Sequence, residues 1–502
     1  MKKTASGYRL IFGYLGLFIG FVGFATLVPL LAIFAYPEEA GDWYCFFIPG
    51  MASIIVGNLM FILLIARRMK AQLGKHQDSI LLLLIWITAI FISATPYLIK
   101  GCFNFTDAMF ETTSAYATVG LTVFKTQHYN LHLFILYRSI ICFIGGIGLV
   151  LIVTSAISDR YGLKLYMAEG HNDKLMPNLA RSARVMLSIY AGLIALGTIL
   201  YALCGMNALD AFVHSVSAIA TAGFSSKEAG LMAYAGQSNF WLIELISVVL
   251  MVLGATNFML HLFIITGKWK KVWKDCEVRL FLILSLIFIP LFVVAALTAA
   301  SGVSFGQAFS TGSFTFISAI TTTGFSNVSN VMTLGQGTLL LVVLINVIGG
   351  GMGSTAGGVK LYRFVIALKS LYWSTKESVS SANVIYPHYV NRLGKEKEIS
   401  SKEIADALAY IMIYVLLMLF GSLLVALFSR AEGHLGANYG ESLFEFSNAL
   451  ACTGLTCGVT QAGTIGVKWT LIFGMFAGRL EILVIYFGLF RIGRDILRKE
   501  TT

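Results

Sequence analysis

Ile320–Asn327 reads ITTTGFSN, and altered copies of this stretch stand at three other places in the chain. Aligned on the glycines Gly120, Gly223, Gly324 and Gly454, the two preceding positions read Thr118-Val119, Thr221-Ala222, Thr322-Thr323 and Cys452-Thr453. The next position is Leu121, Phe224, Phe325 or Leu455, and the one after it always carries a hydroxyl: Thr122, Ser225, Ser326 or Thr456. Thirteen residues before each glycine stand Asp107, Asp210, Thr311 and Glu441, each able to start a short helix. The expected unit is a helix start, a short helix and a Thr-x-Gly turn. A unit recurring in phase is the mark of a repeat architecture.

What surrounds the four copies is apolar. Of the 502 residues, 57% are hydrophobic and 12% charged, against about a quarter charged in soluble proteins. Stretches of the ~17–25 apolar residues that cross a bilayer recur along the whole length, and ten candidate spans emerge. Of the 36 Lys and Arg, 29 fall within residues 1–9, 67–78, 158–184, 268–279, 360–402 and 491–499, between alternate spans. That bias places both termini in the cytoplasm and accounts for the net charge of +11 without a nucleic-acid partner. The run from Leu10 to Ala35 is too long for a signal peptide and reads as a retained first span. The seven cysteines are odd in number and largely sit in apolar segments (Cys142, Cys204, Cys452), so no disulfide framework is expected.

The expected fold class is therefore an all-α polytopic membrane protein of about ten transmembrane helices. Four span–pore-loop–span repeats surround a central pathway, with two additional N-terminal helices. The divisions are 1–70 for the N-terminal pair, 71–165, 166–275 and 276–400 for the first three repeats, and 401–502 for the fourth. Expected spans are Ser79–Ile99 and Leu131–Ile157, Val185–Cys204 and Phe240–Thr266, Val278–Ala300 and an interrupted Thr338–Leu371, and Ala405–Phe428 and Trp469–Phe490. The short helix from Asp107 to Ala117 covers about 16 Å at 1.5 Å per residue, roughly half a bilayer. Its two ends must lie on the same, outer side, so it is re-entrant, and irregular backbone at that depth is tolerated where it is buried or lines water.

A dehydrated monovalent cation needs a ring of oxygens, which stacked peptide carbonyls supply. Glycine reaches φ > 0 and lets successive carbonyls face one axis, while the short helices aim their negative ends at the ion. With these residues in this setting, the chain resembles the Trk/Ktr/HKT superfamily of potassium transporters over about residues 80–490, and its two additional N-terminal spans resemble the TrkH-like branch. The resemblance implies a selectivity filter for K+ made by Thr118, Val119, Gly120, Thr221, Ala222, Gly223, Thr322, Thr323, Gly324, Cys452, Thr453 and Gly454. Gly120, where plant members with sodium preference carry serine, favours potassium. Cys452 departs from the usual threonine, and a backbone role is expected to survive the change.

A second candidate is IGGGMGSTAGGVK, Ile348–Lys360, whose glycines and serine disfavour continuous helix inside a span. It is not a dinucleotide loop, since no strand precedes it. Close helix packing on small residues is one reading. The other is a flexible gate, for the string resembles the gating loop of the TrkH branch, with Gly349, Gly350, Gly351, Gly353, Ser354, Thr355, Gly357, Gly358 and Lys360 as its residues. The third candidate is Arg479, a charge within the last span and so functional or paired by default. It either bonds Glu481 or a carbonyl for structural reasons or, as the resemblance implies, faces the ion path below the filter and guards it. Glu244 reads as a packing or dimer-contact residue. The acids Asp107, Glu111, Asp210, Glu441 and Glu445 can raise cation concentration at the outer entrance, with helix starting the simpler role for Asp107, Asp210 and Glu441.

No cluster of metal-ligating residues and no nucleophile, base and acid set is visible, so an enzyme is not expected. A secondary transporter of an organic solute would want inverted repeats, whereas these four run in one direction. A sodium-permeable or proton- or sodium-coupled cation symporter stays open. The resemblance further implies a homodimer in a prokaryotic cell (inner) membrane and an RCK-type cytosolic regulatory subunit binding NAD(H) or ATP. This chain itself shows no nucleotide fingerprint and is expected to bind no cofactor.

Overall fold

The computed structural model describes residues 8–64, 77–148, 179–299, 303–380, 386–431, 438–480 and 482–499. Helices α1 (Tyr8–Leu27) and α2 (Trp43–Leu64) form the N-terminal pair. Lipid tails are as apolar as the side chains they would replace, so the pair closes on small residues instead. A Cβ on Gly16 would meet the Gly57 carbonyl at 2.6 Å, and one on Gly23 the Gly50 carbonyl at 2.6 Å.

Four units follow. The first is α3 (Gln77–Lys100), α4 (Phe105–Tyr116) and α5 (His132–Ile147). The second is α6 (Leu179–Leu203), α7 (Ala208–Ile219) and α8 (Phe240–Gly254) with α9 (Phe258–Ile265), after which α10 (Trp269–Lys274) is a short connection. The third has α11 (Cys276–Ala299), α12 (Phe305–Ile320) and α13 (Gly335–Ile348), then α14 (Leu361–Val379). The fourth has α15 (Ser401–Ala431), α16 (Tyr439–Ala451), α17 (Ile465–Arg479) and α18 (Ile482–Lys499). Among the described residues, seven continuous helices are long and apolar enough to cross a membrane, and two bent pairs bring the number to nine. The tenth expected span, Leu131–Ile157, is described only through α5, whose C-cap Gly148 has φ 95°. The loops 67–76 and 158–178, and Glu481, lie outside the described residues.

Two expectations need correction. The spans Phe240–Thr266 and Trp469–Phe490 are not continuous: α8 and α9 meet at 109°, α17 and α18 at 102°. At the first break Asn257 starts a new helix, its side chain accepting from Met259 N at 2.8 Å. The short helices begin earlier than expected. Asn104, Asn207, Ser304 and Asn438 cap them, accepting from the third helical N–H at 2.8, 2.7, 3.3 and 2.8 Å. Asp107, Asp210 and Glu441 are therefore third-position acids facing the positive helix end. Thr311 lies inside α12, which runs 16 residues against 12, 12 and 13 for its counterparts.

The all-α membrane fold is as expected, and it carries one short hairpin between α14 and α15. Strands β1 (Tyr389–Arg392) and β2 (Lys395–Glu398) pair antiparallel around Leu393 and Gly394, with φ 51° and 72°, as a two-residue hairpin turn requires. Asp275 holds this turn, accepting from Leu393 N at 2.7 Å. Burial is the larger influence on that carboxyl and raises its pKa against the opposing N–H groups.

Candidate functional site

The four short helices are buried at the centre, and their C-terminal turns converge. A Cβ on Gly120 would collide with the Ala222 carbonyl, one on Gly223 with Thr323 O, one on Gly324 with Thr453 O, and one on Gly454 with Val119 O. Each unit's glycine thus abuts the peptide oxygen of the next, and the fourth closes on the first. The ring is complete and runs in chain order.

The local geometry is the same in all four. Val119, Ala222, Thr323 and Thr453 donate N–H to Ser114, Ser217, Ser318 and Asn448 carbonyls at 2.9, 2.7, 2.9 and 2.9 Å. With the preceding N–H bonded three residues back, this is the Schellman closure of a helix end, whose left-handed position is usually glycine. Here it is Thr118, Thr221, Thr322 and Cys452, with φ 51°, 51°, 52° and 58°. Cys452 adopts the same backbone as the threonines. A β-branched residue there is an outlier, and strain of this kind persists where the surroundings enforce it. Gly120, Gly223, Gly324 and Gly454 follow two positions on, again at positive φ. Alternating hand turns successive carbonyls toward one side, where a strand would alternate them.

The recurrent hydroxyl has a structural reason. Thr122, Ser225, Ser326 and Thr456 each accept the N–H two residues on, at 3.0, 3.0, 3.2 and 2.9 Å. Three of them are held from behind by the short-helix residue nine before the glycine. Glu111 accepts from Thr122 Oγ1 at 3.0 Å, His214 Nε2 lies 3.0 Å from Ser225 Oγ, and Glu445 accepts from Thr456 Oγ1 at 2.7 Å. Glu111 and Glu445 are fully buried, which removes them as entrance charges. Asp107 and Asp210 are paired as well, with Lys468 at 2.6 Å and Lys227 at 3.2 Å. Beside these hydroxyls, Gly223, Gly324, Gly454, Ser225, Ser326 and Thr456 line part of a cavity of about 440 Å³.

Each unit's second helix also reaches the next unit. Arg138 on α5 donates to Glu111 at 3.0 Å and across to Ser225 O at 2.5 Å, between the Phe124 and Phe224 rings. Glu244 on α8 accepts from Asn327 Nδ2 at 2.7 Å and from Ser310 at 3.3 Å. Asn346 on α13 accepts from Thr453 Oγ1 at 3.0 Å, and Lys468 on α17 pairs with Asp107 on α4. Sequence reading missed this belt; the only signal was that Arg138 and Glu244 are charges inside spans. Removing one partner of a buried pair strands the other, so Arg138→Ala should cost about 3–5 kcal/mol. The measurement is the thermal unfolding midpoint in detergent, and an unchanged midpoint would contradict the pairing.

Beneath the ring lies the interruption between α13 and α14. Thr355 Oγ1 donates to Ile219 O and Gly254 O, both at 2.9 Å, and accepts from Thr221 Oγ1 at 3.2 Å. Gly357 N donates to Thr322 Oγ1 at 2.7 Å, and a Cβ on Gly357 would strike Ala451 O. The loop therefore touches the inner ends of α7, α12 and α16. It is buried and bonded along its length: Gly351 N to Ala255 O at 3.0 Å, Met352 N to Glu277 at 3.2 Å, Lys360 N to Ile348 O at 3.0 Å. Lys360 also bonds Ala356 O through its ammonium. Arg479 closes the arrangement. It stands at the end of α17, donating to Thr355 O at 2.7 Å, Gly146 O at 2.9 Å and Gly145 O.

Four hairpins around one axis, inside a bundle of membrane-length helices, define a multi-pass membrane protein built as a fourfold pseudo-repeat. The model of the TrkH family, described as cation transport protein, matches residues 44–491. The chain belongs to that family, whose members are transporters. It is 30% identical over 488 residues to an uncharacterized cation transporter, MJ1485, of Methanocaldococcus jannaschii, spanning 96% of this chain and 94% of that one. It is 28% identical to the Trk system potassium uptake protein TrkI of Halomonas elongata, over 91% of each chain. The crystal structure of the potassium transporter TrkH from Vibrio parahaemolyticus has the same fold, with TM-score 0.81 at 24% identity over 95% of this chain and 98% of that one.

Proposed function

We propose that this chain carries potassium across the cell membrane through the ring around Gly120, Gly223, Gly324 and Gly454. The closed, chain-ordered contact of each glycine with the next unit's carbonyl is the observation that carries this reading. Oxygens of Thr118, Val119 and Gly120 and their counterparts replace the ion's water. Thr118 Oγ1, buried and without a protein partner among the described residues, is left to face the ion or its water. Four short helices direct their negative ends to the same point.

Gly349–Lys360 is the gate, and Arg479 its tether. The loop crosses under the ring from the end of α7 to that of α16, so an ion leaving the ring meets it. Relatives with Trk system potassium uptake in their names support the choice of ion. Further parts of the reading are the repeat divisions at residues 70, 165, 275 and 400, cytoplasmic termini in a prokaryotic inner membrane, a homodimer, and a cytosolic RCK-type subunit binding NAD(H) or ATP. That subunit would pull on the loop from the basic cytoplasmic face.

Reversal potentials across bilayers with opposed potassium and sodium gradients test the function. The expected result is a potential that follows the potassium gradient. One that follows sodium equally would overturn the filter, and one that follows neither would overturn cation transport.

A further inference from the structure

Behind the gate loop, between the α8–α9 break and α11, is a second cavity of about 260 Å³. Leu253, Leu260, Val278, Phe281 and Leu282 are part of its apolar wall, and Gly350 and Gly351 of the loop close its inner end. Its outer wall is lipid-facing: Leu282 is 43% exposed, and Leu286 a turn further 79%. Val272 of α10 lines the cytoplasmic end.

Helix α10 reads WKKVWK, with Trp269 and Trp273 exposed. Tryptophan and lysine together mark the level where hydrocarbon meets headgroups. Lys268, Lys270, Lys274 and Arg279 are exposed around it, and Arg279 Nε donates to Trp273 O at 3.0 Å. The acids of this corner, Asp275 and Glu277, are buried and turned inward. Its outer face is therefore cationic at the rim of an apolar cavity.

We propose that this cavity takes an acyl chain of an anionic phospholipid whose headgroup rests on Lys270, Lys274 and Arg279, and that the bound lipid holds the gate loop where it is seen here. The coupling is direct. Glu277 and Asn257, which line the cavity, also fix Met352, through its N–H at 3.2 Å and its carbonyl at 2.6 Å. A filled cavity keeps these anchors and Gly350–Gly351 from moving outward; an empty one leaves the loop room to withdraw. The lipid site stands on its own observations, while its effect on transport rests on the gate reading above.

The delipidated full-length chain in detergent is titrated with phosphatidylglycerol and with phosphatidylcholine of the same acyl chains, and occupancy is read by native mass spectrometry. With each interfacial cation adding about 1 kcal/mol toward an anionic headgroup, phosphatidylglycerol should bind about tenfold or more tighter. Lys270→Ala/Lys274→Ala, two surface changes that leave the core alone, should abolish that preference. Val278→Trp, which fills the cavity, should weaken both lipids. Equal retention by wild type and the double variant overturns the site, and so does displacement of the lipid by soluble glycerol phosphate alone. Potassium flux in liposomes should be lower with phosphatidylglycerol than without it for wild type, and indifferent to it for the double variant. Specific binding without any change in flux would leave the lipid site intact and overturn its hold on the loop.

Discussion

Replacing Gly120 with serine is expected to lower the potassium-over-sodium permeability ratio by about tenfold or more, equivalent to a loss of ~1.4 kcal/mol or more of discrimination. Two effects combine. At φ 95° an L side chain is strained, by roughly 1–2 kcal/mol, and the new Cβ runs into the Ala222 carbonyl. That oxygen belongs to the neighbouring unit, so the backbone of the first unit moves, the oxygen of the second moves, or both do. Either displacement spoils the match to a dehydrated ion. Gly230→Ser is the control: φ is 61° there, yet nothing lies within 4 Å, so strain is present without collision. An unaltered ratio in Gly120→Ser, with the control also unaltered, would remove Gly120 from the filter.

Arg479→Ala should raise potassium flux, by about tenfold if the lost charge-assisted hydrogen bond to the loop at Thr355 O is worth ~1.5 kcal/mol. Arg479 is the link through which α17 grips both Thr355 O and the carbonyls of Gly145 and Gly146. Without it the loop keeps its anchors on α7 and α12 but loses the one from the fourth unit. Arg479→Gln separates tether from charge, since an amide still donates to carbonyls but carries no positive charge. If Gln conducts like Arg, the hydrogen bonds matter; if like Ala, the charge does. Reduced or unchanged flux in folded Arg479→Ala would eliminate both roles.

The sequence was legible where a position must do the same thing four times. The aligned glycines converge because each sits at the same left-handed step after a helix end, and even Cys452 conforms, as backbone conformation does not depend on a hydroxyl. The third unit's interruption was visible because glycine and serine crowd it. Three helix starts were placed three residues late, because an acid at the third helical position looks like a cap when the true cap is an asparagine three residues before it; in the third unit, whose cap is Ser304, the start expected at Thr311 was seven late. The breaks after Gly254 and at Leu480 escaped notice within apolar runs that read as continuous spans, since only Asn257 and Arg479 mark them. The belt of Arg138, Glu244, Asn346 and Lys468 escaped because its partners lie 27 to 361 residues away, a separation no local pattern encodes. Glu111 and Glu445 were misread for a related reason: an acid between membrane spans suggests water, and here it binds threonine and backbone N–H groups in the interior.

Among the described residues, an intervening loop of this kind is found in the third quarter. In an assembly of four identical subunits any obstruction under the opening would come in fourfold and would have to meet itself at the centre. A single polypeptide escapes that symmetry. Residues 349–360 reach across from one side and come to rest on unlike neighbours, threonine hydroxyls on two sides and an arginine on another, so in the gate we propose one leaf would suffice as the door and the other quarters would serve as a rigid frame.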